Sequence, residues 1–135
     1  MTAQRVQVML DKSDAAAALR LLGAQPLVIN DPFLDLDLLF GQANCAAGDP
    51  STGLLQLRAG LAKLGNGTHD EHTPEVARFR ALAGLCALST QSREEALAYQ
   101  RDAQAAFIAQ PGVSAYYKAP LVELERRLGL RLPPV

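Results

Sequence analysis

The chain has 135 residues, enough for one domain with a real core but too few to divide comfortably into two. Apolar residues make up 49% of it, aromatics only 5%, and tryptophan is absent. Its 13 basic and 14 acidic residues leave a formal charge of −1, which excludes the cationic footprint of generic nucleic-acid or anionic-membrane binding.

Alanine and leucine supply about a third of the residues, and both lose little entropy in a helix. The pattern predicts a short amphipathic helix over 2–10. Ser13 and Asp14 are N-caps for a second helix, which Gln25-Pro26 stops. Residues 27–30 are apolar but too few, and without a partner run, to make a strand. Asp31-Pro32 opens a third helix running to Ala47, with proline in the first turn behind an acidic cap. Gly48-Asp49-Pro50 ends it and starts a fourth, which runs to Leu64 and closes at Gly65-Asn66-Gly67.

Residues 65–73 form the longest irregular stretch. Thr73-Pro74-Glu75 begins a fifth helix through Leu88, and Ser92-Arg93-Glu94-Glu95 reads as a capping box for a sixth to Ala109. Gln110-Pro111-Gly112 breaks it. The last helix spans 114–128, kinked or started afresh at Pro120, and 132–135 is irregular. Seven helices without a strand make an all-α, antiparallel helical array.

Cys45 and Cys86 lie inside apolar helical patterns. Their number permits a disulfide, but two buried thiols in a reducing cytoplasm is the favoured reading. The first twelve residues lack the apolar run of a signal peptide, and no stretch approaches the ~18 apolar residues of a membrane span. The expectation is a soluble cytoplasmic protein. Alanine richness and a preference for Arg over Lys suit a bacterial source.

Little in the chain carries chemistry. His69-Asp70-Glu71-His72 combines imidazoles and carboxylates that suit Zn²⁺ or Ni²⁺, but the i, i+3 spacing in a glycine-flanked loop supplies no third ligand. It is read as a solvated loop, with no metal and no cofactor expected. Asn66-Gly67-Thr68 is read as a turn rather than a glycosylation site. Asp31, Asp35 and Asp37 complement the dipole of the third helix. Glu123, Glu125, Arg126 and Arg127 are read as a solvated face with local ion pairs. No nucleophile elbow or phosphate loop appears, and the expectation is a protein that is not an enzyme.

The chain does repeat itself. Gly41-Gln42-Ala43-Asn44-Cys45 aligns with Gly84-Leu85-Cys86-Ala87-Leu88. Twelve residues after each glycine comes a small residue, Gly53 or Ala96, and seven further on another, Gly60 or Ala103. Leu54 matches Leu97, and Arg58 matches Arg101; Ala17 and Ala24 give half the signal again. Small residues so spaced let two helices cross closely, because larger side chains would force the axes apart.

In these residues the chain resembles the tetratricopeptide repeat family. The resemblance implies stacked antiparallel helical hairpins, about three repeats at 2–26, 32–65 and 74–110, with a capping helix at 114–129. In such repeats the first helix of each hairpin lines a groove that holds a peptide or an amphipathic helix. The matching positions here are Asp35, Leu38, Gln42 and Cys45 in one repeat, and Arg78, Ala81, Leu85 and Leu88 in the next. The basic clamp by which some members grip a terminal carboxylate is replaced mostly by Leu and Ala.

The implied function is protein–protein interaction as an adaptor, scaffold or small chaperone. Asp35, Leu38, Gln42, Arg78, Leu85 and Leu88 are the candidate partner-binding residues, and a homodimer is left open. The alternative is a regulatory or sensor domain that binds a small ligand in the groove.

Overall fold

A computed structural model describes residues 7, 10, 11, 14–24, 36–64 and 73–130. The described residues hold six helices and no strand: α1 (Ala15–Ala24), α2 (Leu36–Ala47), α3 (Pro50–Leu64), α4 (Pro74–Ser89), α5 (Arg93–Ala109) and α6 (Ala115–Leu128). The protein is all-α and built from antiparallel helical hairpins. The chain forms two compact units, Met1–Ala62 and Lys63–Val135. Residues 7 and 10, from the predicted first helix, and residue 11 just after it are helical. The loop with His69 and His72, residues 27–30 and Asp35 lie outside the described residues.

Local chemistry explains most of the ends. Asp14 caps α1 by accepting from the Ala17 amide at 3.3 Å. Asp49 accepts from the Thr52 amide at 3.4 Å, with Pro50 in the first position of α3. Thr73 Oγ1 accepts from the Val76 amide at 3.3 Å and starts α4, again with proline next. Ser114 caps α6 through the Tyr116 amide at 3.2 Å. Gly129, left-handed at φ 73°, ends α6, and the Leu130 amide donates back to the Glu125 carbonyl at 3.0 Å.

Two local expectations are corrected. Ser92 occupies the N-cap of α5 but makes no side-chain cap bond. Its Oγ lies 3.2 Å from Thr90 Oγ1, a partner within the turn that the capping-box pattern ignores. Of the two readings at Pro120, a kink or a fresh start, the fresh start is excluded, since α6 runs through it from Ala115 to Leu128.

In the first unit, α1 and α2 bury Leu10, Ala15, Ala18, Leu39 and Ala43, with Leu19 and Phe40 packed alongside. In the second, α4 and α5 enclose Phe79 and Phe107, and α6 lays Leu121, Leu124 and Leu128 onto them. The i, i+3, i+7 spacing of those leucines puts all three on one stripe of α6. Each contributes about 1.5–3 kcal/mol by leaving water.

Candidate functional site

The two hairpins α2–α3 and α4–α5 are built on one plan with a step of 43 residues. In the first turn, the Gly48 amide donates to the Cys45 carbonyl and the Asp49 amide to the Asn44 carbonyl at 2.8 Å. In the second, the Gln91 amide donates to the Leu88 carbonyl and the Ser92 amide to the Ala87 carbonyl, also at 2.8 Å. Every atom of the second set lies 43 positions after its counterpart. The backbone agrees: Gly48 has φ 100° and Gln91 has φ 63°, the two left-handed residues that turn the chain. Gln91 is the only non-glycine residue with positive φ among those described, and it carries the steric cost that glycine avoids.

Inside the first hairpin the contact is close. A Cβ placed on Gly41 would lie 2.9 Å from the Gly53 carbonyl oxygen, and one on Gly53 would lie 2.7 Å from that of Gly41. One on Gly60 would lie 2.6 Å from Leu38 Cγ. Numbers fall on α3 as they rise on α2, which makes the pair antiparallel. Asn44 Nδ2 donates to Gln56 Oε1 at 2.7 Å across the same crossing.

The second hairpin crosses differently. A Cβ on Gly84 would meet Leu124 Cδ2 of α6 at 2.5 Å and Tyr99 Cβ at 3.4 Å. The position matching Leu57 is Gln100, buried, whose Nε2 donates to Glu125 Oε2 of α6 at 2.9 Å. Glu125 is therefore not part of a solvated face; it is buried because the α6 stripe turns it toward α5. Arg93 Nη2 donates to the Leu128 carbonyl at 3.0 Å, and the Arg78 guanidinium stands 4.8 Å over the Tyr116 ring. Arg78 and Gly84 meet Tyr116 and Leu124 in rising order, so α6 runs parallel to α4. Gln100 and Arg93 meet Glu125 and Leu128 in opposite order, so α6 runs antiparallel to α5.

The candidate partner-binding residues divide between the units. Leu38 is fully buried against Gly60, and Gln42, also buried, accepts from Gln7 Nε2 at 3.1 Å. Neither offers a side chain to an incoming helix. Arg78 is buried too, with its guanidinium between Phe79 and Tyr116. Leu85 and Leu88 are half-buried on α4 and reachable from solvent. Sequence reasoning missed Gln100, Tyr116 and Glu125, for which no local signal existed. It passed over Val122 of α6, which is 59% exposed.

The outer charges of α6 behave as expected. Glu123 accepts from Arg126 Nε at 2.9 Å and Arg127 Nε at 2.8 Å. Those hydrogen bonds hold its carboxyl down to about 2, below the usual carboxylate range, and the same carboxylate raises the Arg126 guanidinium.

The reading of two free thiols is overturned, because both cysteines are disulfide-bonded. That reading weighed compartment over geometry, and geometry decides whether two sulfurs bond. Among the described residues no three His, Cys, Asp or Glu side chains are grouped to hold a metal ion, and no helix is long and apolar enough to cross a membrane.

No family model matches this chain, and no curated protein or solved structure does so either.

Proposed function

We propose that the chain is a protein-interaction module of tetratricopeptide-like hairpins, an adaptor, scaffold or small chaperone that holds a peptide or amphipathic helix of another protein. The observation that supports it is the repetition. The same turn, the same left-handed residue and the same small buried positions recur after 43 residues. A further helix then lies parallel to α4, where the first helix of a next repeat belongs. Stacked hairpins build an extended surface rather than a catalytic pocket. The step is longer than the ~34 residues of that family, so the likeness is one of hairpin design.

On this reading the protein works without a cofactor, and Leu85 and Leu88 are the accessible apolar anchors on α4. Capture from the source lysate with tagged chain, followed by mass spectrometry, tests it. The expected result is one stoichiometric protein that Leu85→Asp loses and Arg101→Glu on the outer face retains, with the helical far-UV signal unchanged in both. A co-purified small molecule with no protein would favour the sensor reading. A folded Leu85→Asp chain that captures the same protein at full strength would move the binding surface off α4.

A further inference from the structure

We infer that the chain matures and works in an oxidising compartment, held by a structural disulfide. The partner it meets there is an exported protein, a clause that rests on the protein-interaction reading.

The sulfur chemistry carries the inference. The chain has two cysteines, and both are disulfide-bonded. Disulfides form and persist in secreted, periplasmic and lumenal spaces, while glutathione and thioredoxin keep cytoplasmic thiols reduced. Bonding removes two protons and two electrons from the paired thiols. An oxidant of the disulfide class takes them up and leaves as a dithiol, and an oxidising space keeps that oxidant supplied.

A disulfide of a reducing cytoplasm is transient, catalytic or redox-sensing, and neither cysteine is placed for such work. Exchange runs through an accessible thiolate, which a helix N-terminus favours. Cys45 and Cys86 lie instead in the last turns of α2 and α4, where the helix dipole is negative. Cys86 is 2% exposed, beside the fully buried Ala83 and Ala87 of its own helix. Cys45 is half-buried, and its Sγ fills the space over Gly53 at the α2–α3 crossing, where a Cβ would collide with it. Both sulfurs are packing atoms, as in a disulfide that is made once and kept. A binding surface in such a space meets only the proteins that share it, so Leu85 and Leu88 serve exported partners.

Two measurements on the full chain decide it. Source cells are quenched in acid, and thiols are tagged with polyethylene-glycol maleimide before electrophoresis. The chain is expected in the fraction outside the cytoplasm, untagged until a reductant frees its two thiols. Tagging without reductant, or an intact disulfide in the cytoplasmic fraction, would overturn the inference. The second measurement compares the purified chain with and without the phosphine reductant TCEP. Reduction is expected to lower the thermal midpoint by at least about 5 °C, or to unfold the chain outright. An unchanged midpoint with both thiols free would make the disulfide dispensable and sink the proposal. The partner clause is read from the captured protein. An exported one supports it, and a cytoplasmic one removes it while leaving the interaction reading intact. A chain oxidised outside the cytoplasm that captures nothing removes the interaction reading, and with it the partner clause alone.

Discussion

The hairpins α2–α3 and α4–α5 share a turn, a step and a set of small residues, yet they close in different ways. In the first, two glycines bring backbone against backbone, and a Cβ on either would lie within 3 Å of the other's carbonyl oxygen. In the second, alanine replaces the later glycine, and Leu124 of α6 occupies the space over Gly84. The same motif thus serves once as a self-sufficient crossing and once as a seat for a third helix. What differs is the atom that fills the gap: fixed backbone in one case, the end of a flexible side chain in the other.

That contrast breaks most sharply at the glycines. Gly53→Ala should cost about 2–3 kcal/mol or more, because the Gly41 carbonyl can yield only if the helices part. Gly84→Ala should cost less than half as much, since Leu124 can rotate and alanine regains up to about 1 kcal/mol of helix propensity. Urea unfolding of both variants checks this. Equal losses would mean that the two crossings are equally rigid.

The turns give a smaller test of opposite sign. Gln91→Gly should stabilise the second hairpin by about 0.5–1 kcal/mol, because glycine adopts φ 63° without the Cβ clash. Gly48→Ala should destabilise the first by a similar amount or more, since nothing but its φ of 100° opposes a side chain. If thermal midpoints move the same way in both, the turns are not equivalent.

The smallest effect sits on the outer face of α6. The Glu123 carboxyl is depressed in the folded chain, so its contribution is present above the unfolded carboxylate range and is lost as pH falls toward about 2. Solvent contact and salt screening keep it slight. A titration of the carboxyl by NMR should place its midpoint near the low value, and Arg126→Gln with Arg127→Gln should return it to the ordinary range.

Much of the fold was legible because its signals are local. Asp49-Pro50 and Thr73-Pro74 announce helix starts through bonds made within a few residues, and α3 and α4 begin where those pairs place them. The small-residue spacing held at the first crossing, where Gly41 meets Gly53, whereas the atom closest over Gly84 belongs to Leu124 of α6 and not to Ala96. The candidate site was less legible. Leu38 and Leu85 both look like groove leucines in the sequence, yet one is buried under Gly60 and the other half-open.

The sequence by itself determined an all-α chain, its helix ends and the 43-residue repetition, because helix propensity, caps and glycine turns act over a few residues. Only the tertiary structure decided which side of each helix is covered. Glu125 reads as one more charge in Glu123-Leu124-Glu125-Arg126-Arg127, and becomes a buried acceptor only because Leu121, Leu124 and Leu128 rotate it toward Gln100, 25 residues earlier. Burial is set by which helix a face meets, and no window of neighbouring residues contains that information.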